Sequence, residues 1–228
     1  MADRGPEPGQ RTVEIWDLPT RVFHGLLLVF LTVGWLTTDG EGIVFTIHKV
    51  NGYGLLAALL FRLVWGFAGS HHSRFSDFIR PWSDVKVHAL ALLRLRPHPY
   101  VGHTPIGGWM ILTLLGMLTL IGVTGLFAAG DEGAAGGPLA EFLPRWLAHG
   151  IAEFHEGLFN VLLGLVVFHT LGVLTETVLT GDNLLRAMLT GRKTVSEAQA
   201  RREGGVVAPF WALIVVMVSG AAVWLAFG

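Results

Sequence analysis

Long apolar segments alternate with short polar ones along the chain, and this alternation predicts membrane-spanning helices. A helix needs about 20 mostly apolar residues to cross a bilayer. Five segments reach or approach that length, at about residues 22–36, 42–68, 107–129, 151–178 and 208–227. Their internal glycines are typical of membrane helices, where small residues let neighbouring helices approach closely. The pattern predicts an all-α, integral membrane helical bundle.

The polar segments between the spans are short. We predict an N-terminal tail over residues 1–20, which lacks the charge and apolar order of a cleavable signal and is expected to be retained. A membrane domain of four helices follows over residues 21–180, then a basic loop over 181–207 and a fifth transmembrane helix over 208–228. Within the longest loop, helical spacing of apolar residues over 83–94 predicts a helix on the membrane surface. Most tryptophans lie near predicted span ends, as in an aromatic belt.

The distribution of basic residues predicts the orientation in the membrane. Thirteen lysines and arginines lie in the N-terminal tail with the adjoining Arg21 and in the loops at 70–106 and 179–207, whereas the loop at 130–150 has only Arg145. Because cytoplasmic loops carry the excess of lysine and arginine, we expect a cytoplasmic N-terminus and a periplasmic C-terminus. The acidic outer loop residues Asp131, Glu132 and Glu141 are expected to attract a basic partner.

The amino-acid composition excludes several kinds of cofactor site and partner. The 228 residues include no cysteine, 10 histidines and 14% charged residues, and the net charge is −1. The absence of cysteine excludes disulfides, thiolate iron–sulfur clusters, cysteine-rich zinc sites and c-type haem attachment. A net charge near zero argues against a nucleic-acid partner, because such proteins present a basic face.

Four histidines fall inside predicted spans, where ionisable residues indicate function. His155 and His169 share the fourth span, 14 residues apart. That spacing corresponds to about 21 Å of rise and about 40° of rotation, so both face one side of the helix at two depths. In the predicted orientation His48 is level with His155, and His24 is level with His169.

Two depth-matched histidine pairs are what bis-histidine haem ligation requires. The glycines Gly52, Gly54, Gly157 and Gly164 are expected to leave room for the flat macrocycle. A proton or metal relay is the alternative on spacing alone. A metal would need further ligands at each depth, and the nearby acids Glu153, Glu156 and Glu176 do not provide a full set at both levels.

The chain resembles the bacterial cytochrome b561 family and the related b-type cytochrome subunits of nickel–iron hydrogenases. The resemblance covers roughly residues 12–195. It is carried by WDLPTRVFH at 16–24, HKVNGYGLLAALLFRLVWGFAGS at 48–70, GHTPIGGWM at 102–110, FHEGLFNVLLGLVVFH at 154–169 and the TGR turn at 190–192. Gly25 departs from the aromatic residue that many members have there, and the fifth span is absent from the family's four-helix core.

The resemblance implies two haem b groups, one ligated by His24 and His169 and the other by His48 and His155. It also implies an inner-membrane electron carrier. The implied partners are the quinone pool and a periplasmic c-type cytochrome, or a larger redox complex such as a hydrogenase. A homodimer is plausible for so small a bundle.

Further polar residues are candidates for supporting roles. Haem propionates need cationic or polar partners, and Arg21, Lys49 and Arg62 are the candidates; the alternative for Arg21 and Lys49 is interfacial snorkelling. A quinone needs hydrogen-bond donors near the membrane surface, and the candidates for that site are His71, His72, Arg74, His103 and Thr104. The remaining histidines, His88, His98 and His149, are expected at the surface.

Three other functions are compatible with the sequence. The first keeps the haems but makes the protein a stand-alone superoxide:quinone oxidoreductase, for which Lys49 and Arg145 are the only outer cations. The second is a haem-free transporter of protons or metal ions, which predicts a colourless protein. The third is a structural anchor subunit, which predicts co-purification with a partner and no activity alone.

Overall fold

A computed structural model describes residues 9–38, 40–130, 136–200, 205 and 207–227. Within these residues, five helices are long and apolar enough to cross a membrane. They are α1 (Leu18–Leu36), α2 (Ile43–Ala68), α5 (Pro105–Phe127), α6 (Arg145–Thr180) and α9 (Pro209–Phe227). The five predicted spans are therefore confirmed. The main difference is α6, whose 36 residues correspond to about 54 Å and exceed the roughly 30 Å of a hydrocarbon core.

The shorter elements occupy the loops. They are β1 (Gln10–Glu14), α3 (Phe75–Phe78), α4 (Trp82–Leu93), α7 (Leu184–Thr190), β2 (Arg192–Ser196), α8 (Glu197–Ala200) and two 3₁₀ turns, His71–Ser73 and Ala140–Phe142. The helix predicted over 83–94 is confirmed as α4, and its place on the membrane surface stays a prediction. Its apolar side chains Val87, Leu90 and Leu93 are exposed, whereas Val85 and His88 are buried.

The long helices leave most of their apolar surface uncovered by protein. In the most apolar 18-residue stretch of each, only 11% to 22% of the residues are buried. Exposed apolar surface on this scale is far more than a water-soluble monomer carries, and lipid is the solvent that suits it.

The chain forms two compact units. Among the described residues, the first unit takes in those within 9–22, 64–110 and 169–212, and the second those within 23–63, 111–168 and 213–227. Several residues of the predictions lie outside the described part, namely Arg4, Asp131, Glu132, Arg201, Arg202 and the first eight residues of the tail.

The first unit contains a small sheet that the sequence did not predict. Strands β1 and β2 pair antiparallel, with Gln10 opposite Ser196 and Glu14 opposite Arg192. The predicted tail is therefore structured from residue 10 onward. Just past β1, the backbone N–H groups of Ile15 and Trp16 donate to the carbonyl of Gly191 at 2.8 and 3.1 Å. Ile15 and Trp16 then pack with Ala187 of α7 in a buried apolar cluster.

Asp17, at the start of α1, is fully buried and connects three segments of the first unit. It accepts hydrogen bonds from the Thr20 backbone N–H at 2.9 Å, from Trp65 Nε1 at 2.9 Å and from Ser73 Oγ at 3.1 Å. Burial by itself raises the pKa of Asp17, but hydrogen bonds from Ser70, Thr20 and Trp65 outweigh it and lower the pKa below 3.8. The carboxylate therefore stays charged and caps α1.

These contacts correct the aromatic-belt prediction at two positions. Trp65 is 1% exposed and Trp16 is 7% exposed, so both belong to the protein core rather than to a lipid interface. The tryptophans nearest the other predicted span ends are exposed: Trp35, Trp109, Trp146, Trp211 and Trp224.

Candidate functional site

A cavity of about 380 Å³ lies among α1, α2, α5 and α6 within the second unit. Aliphatic and aromatic side chains such as Phe30, Leu118 and Phe159 form much of its wall. The polar groups on the wall include the side chains of His48, Lys49, Asn51, His149, Glu153, His155 and Glu156. A concave cavity in which polar groups converge among apolar side chains is a common form of cofactor site.

His48 of α2 and His155 of α6 face each other across this cavity. Their ring centroids are 6.3 Å apart and the ring planes are 78° apart. An imidazole nitrogen lies about 2 Å from a metal it ligates and about 1.2 Å from its own ring centre, so two rings on opposite sides of one metal have centroids about 6 Å apart. The observed centroid spacing is compatible with two imidazoles that would hold one iron between them.

The surroundings of His48 fix which ring nitrogen is available. Thr37 Oγ1 donates its single proton to the carbonyl of Val33 at 2.7 Å, so it accepts from Nδ1 of His48 at 3.1 Å. The proton is therefore on Nδ1, and Nε2 keeps the lone pair that a metal requires.

His155 is held in the same tautomer by α5. Its Nδ1 lies 3.0 Å from the carbonyl oxygen of Ile121, which can only accept, and 3.1 Å from Thr124 Oγ1. The Thr124 hydroxyl donates back to the carbonyl of Leu120 at 2.8 Å. Nδ1 of His155 is thus the donor, and Nε2 is again the nitrogen with a lone pair. Sequence reasoning missed both threonines, because neither has a fixed spacing from its histidine.

The small residues near the pair have different surroundings. A Cβ on Gly125 would lie 3.1 Å from the His155 ring, so this glycine, which was not predicted, admits the ring. Gly52 lines the cavity. Gly54 instead admits Phe30, whose ring would lie 2.8 Å from a Cβ there. A Cβ at Gly157 or Gly164 would have no neighbour within 4 Å, and neither glycine lines the cavity.

Comparison with known proteins identifies the family. A family model described as prokaryotic cytochrome b561 matches residues 15–191. The chain belongs to the prokaryotic cytochrome b561 family. It is therefore a b-type, haem-binding, multi-pass membrane cytochrome that transfers electrons. Helix α9 lies beyond the matched residues, as expected for a span outside the four-helix core.

Curated relatives of this cytochrome carry a common description, "Probable Ni/Fe-hydrogenase B-type cytochrome subunit". The one from Bradyrhizobium diazoefficiens is 23% identical over 215 residues, covering 81% of this chain and 87% of that subunit. The one from Cupriavidus necator is 26% identical over 214 residues, covering 80% and 87%. The one from Azotobacter chroococcum is 25% identical over 215 residues, covering 80% and 88%. No solved structure matches the chain significantly.

The other two predicted haem ligands lie on the expected helices of the cytochrome. His24 is half-buried in α1, and His169 is half-buried in α6. His155 and His169 share α6, which is unbroken between them. The pairing of His24 with His169 stays a prediction.

The three candidate propionate partners have distinct surroundings. Lys49 lines the cavity beside His48, and its Nζ lies 5.5 Å from the ring centroid of Phe45. Arg21 donates from Nη2 to the carbonyl of Leu189, near the end of α7. Arg62 is buried, with 4% of its surface exposed. Only Lys49 of the three lies on the cavity wall, and the propionate roles of all three stay predictions.

The five candidate quinone residues all lie in the first unit, and they have several protein contacts. Thr104 Oγ1 accepts from the N–H of Gly107 at 3.1 Å, which caps α5, and Arg74 Nε donates to the carbonyl of Gly69 at 2.7 Å. The His103 ring packs between Trp16 and Phe78, at centroid distances of 4.3 and 4.9 Å. His71 and His72 both contact Asp77. Their role in quinone binding stays a prediction.

The expectation that His88 is a surface residue is wrong. Only 2% of it is exposed, because α4 turns it inward against α6 and the ring of Tyr100. Its Nε2 lies 3.6 Å from Glu176 Oε2. Burial, with the added effect of His98, lowers the pKa of His88 and favours a neutral ring. His98 and His149 are exposed as expected, although His149 also lines the cavity.

Proposed function

We propose that this cytochrome is a di-haem electron carrier of the bacterial inner membrane. The observation that supports it best is the His48–His155 pair, with both Nδ1 atoms bonded and a ring spacing of 6.3 Å. A haem b bound there supplies one-electron redox chemistry. The chain's part is to present Nε2 of each ring, hold the rings through Thr37 and Thr124, and offer Lys49 to a propionate.

A second haem b is proposed at His24 and His169. Support comes from the sequence: both histidines stand at the positions that the family's motifs assign to ligands, and His169 lies 14 residues from His155. We also propose that the basic loops face the cytoplasm, because thirteen of the lysines and arginines lie in them or in the tail. In that orientation the His48–His155 pair is the periplasmic one.

The proposed route carries electrons between a periplasmic redox partner and the quinone pool. Curated relatives described as hydrogenase b-type cytochrome subunits support a partner in a larger redox complex. For the quinone, the proposed site contains His71, His72, Arg74, His103 and Thr104. Of these, His103 has the most suitable surroundings, because Trp16 and Phe78 offer aromatic faces beside it.

The experiment that tests the proposal counts haem. A reduced-minus-oxidised spectrum of the purified protein, with pyridine haemochrome quantification, is expected to give two b-type haems per chain. His155→Ala and His169→Ala are each expected to lose one haem, and the exposed His98→Ala is the matched control that retains both. Addition of a quinol to the oxidised protein is expected to reduce the haems.

Other outcomes would separate the alternatives. A colourless protein, expressed with adequate haem supply, would overturn the haem assignment and favour a transporter of protons or metal ions. Retention of two haems in either alanine variant would refute the proposed ligand pairs. Two haems that are reduced by superoxide and reoxidised by quinone, without a partner protein, would favour a superoxide:quinone oxidoreductase. Haem-loaded protein that exchanges no electrons alone would favour an anchor subunit.

A further inference from the structure

Three potential metal ligands converge at the junction of the 3₁₀ turn His71–Ser73 and helix α3. His71 Nε2 lies 3.2 Å from Asp77 Oδ1, and His72 Nδ1 lies 2.9 Å from Asp77 Oδ2. The three residues each offer a ligand atom, all within 4.8 Å of one another. Ligand atoms of a tetrahedral zinc ion, at about 2.0–2.1 Å from the metal, are about 3.3 Å apart. The two contacts, of 3.2 and 2.9 Å, end on different oxygens of Asp77, so both imidazoles lie next to the carboxylate and the three ligand atoms are close to this spacing.

The protein holds two of these three ligands firmly. The side chains of His72 and Asp77 are 9% and 13% exposed. A Cβ on Gly102 would lie 2.7 Å from His72 Nδ1, so the glycine is what admits this ring. Ser73, which follows His72, is fully buried and donates to Asp17 at 3.1 Å. The buried ring of Phe78 anchors α3 directly after Asp77.

The third ligand, His71, lies on the side of the cluster that solvent can reach. The His71 side chain is 44% exposed, so a small rotation of its ring can bring Nε2 toward the metal without disturbing the buried residues. Solvent can reach the same side and supply a fourth ligand as water. The Asp77 carboxylate provides the negative charge: burial raises its pKa, but the hydrogen bond and charge interactions with His72, His71 and Arg80 lower it below 3.8 overall.

We propose that His71, His72 and Asp77 form a binding site for a divalent transition metal of the zinc type, separate from the haem ligands and sharing His71 and His72 with the proposed quinone site. Two imidazoles with one carboxylate suit Zn²⁺ and its first-row neighbours, whereas Mg²⁺ and Ca²⁺ prefer oxygen ligands alone. A bound metal would link the two histidines of the 3₁₀ turn to Asp77 of α3. The proton on His72 Nδ1 moves to Nε2 or to solvent when the metal takes its place.

The test measures zinc in the haem-loaded protein. After equilibrium dialysis against buffered zinc, elemental analysis is expected to give one zinc per chain in addition to the haem iron. His71→Gln changes an exposed side chain and leaves the fold intact, and Asp77→Asn keeps the shape of the carboxylate. Each is expected to weaken zinc binding by more than about 10-fold, since even loss of a group that only orients a ligand costs roughly 10–100-fold. The matched control, His98→Ala, removes an exposed histidine and is expected to bind zinc as the wild type does.

A second readout is thermal stability. Zinc at 100 times the wild-type dissociation constant is expected to stabilise the wild type by RT ln(1 + [L]/Kd), seen as a higher Tm, and to raise the Tm of His71→Gln by a smaller amount. The proposal is refuted if the wild type retains no zinc, or if His71→Gln and Asp77→Asn bind it as tightly as His98→Ala does. The iron count in the same samples reports on the haem proposal separately, because iron and zinc are quantified independently.

Discussion

At the scale of single residues, the site depends on groups that hold the histidines as much as on the histidines themselves. A ligand ring that donates its second N–H to a hydroxyl or carbonyl is fixed in tautomer and orientation and becomes a better electron donor to the metal. Thr37 does this for His48, and Thr124 with Ile121 does it for His155. These hydroxyls should therefore influence the redox potential of a haem bound between the two rings.

We predict that Thr37→Val raises the midpoint potential of the haem at His48. Removing the acceptor of the Nδ1 proton weakens electron donation from the ring and destabilises the oxidised iron. A hydrogen bond worth about 0.5–1.5 kcal/mol corresponds to a shift of roughly 20–60 mV for one electron. Redox titration followed by absorbance measures the shift. Thr37→Ser keeps the hydroxyl and should leave the potential unchanged; an equal shift in both variants would contradict this role.

Some residues of the site could be predicted from the sequence, and others could not. Histidines inside apolar segments are visible because they are costly there, and the spacing of His155 and His169 gives their common face. Thr37, Thr124 and Gly125 are ordinary residues of membrane helices and become informative only once α1 and α5 are packed around the rings. His88 was misassigned for the same reason: burial of one face of α4 depends on α6, which periodicity alone does not reveal.

At the scale of elements, the long helices were predictable and the short ones mostly were not. Each of the five spans is set by a continuous apolar segment, which is a local property of the chain. Strands β1 and β2 have five residues each. Residues that pair between them, such as Thr12 and Thr194, are 182 positions apart in the sequence. Neither strand is stable without its partner, so no local pattern predicted the sheet. Asp17 before Leu18 was not predicted as the helix cap either, although an N-cap residue at a helix start is a signal that the sequence carries.

The turn between α7 and β2 provides a test of this small sheet. Gly191 has a φ of +80°, and a Cβ there would lie 2.6 Å from the carbonyl oxygen of Trp16. Gly181 has a φ of +75° but nothing within 4 Å. Both positions disfavour alanine through backbone strain, whereas only Gly191 adds a steric clash.

We therefore predict that Gly191→Ala lowers the free energy of unfolding by about 2–4 kcal/mol and Gly181→Ala by about 1 kcal/mol. Thermal unfolding in detergent, with haem absorbance as the probe, measures both. The difference between the two variants isolates the close approach of the Trp16 carbonyl to Gly191. Equal destabilisation would show that the contact with Trp16 contributes nothing.

At the scale of the whole molecule, the membrane explains why the protein buries so little of itself. Leu36, Phe67, Val178 and Leu225 are between 69% and 85% exposed, which an aqueous protein would not tolerate in such numbers. The backbone of each span satisfies its own hydrogen bonds, so the helices need only local contacts such as Asn51 Nδ2 donating to the Phe30 carbonyl at 3.0 Å. Side-chain packing is then concentrated where the cavity and the first unit's core require it.

The orientation of the chain is the prediction that belongs to this scale, and the absence of cysteine makes it directly measurable. His98 is exposed in the basic loop between α4 and α5, and Glu141 is exposed between α5 and α6. With the basic loops in the cytoplasm, a single cysteine in Glu141→Cys should react with a membrane-impermeant maleimide in intact spheroplasts. The cysteine in His98→Cys should react only after the membrane is permeabilised. The reverse pattern would place the His48–His155 pair on the cytoplasmic side. An electron donor in the periplasm would then have to reduce the haem proposed at His24 and His169 first.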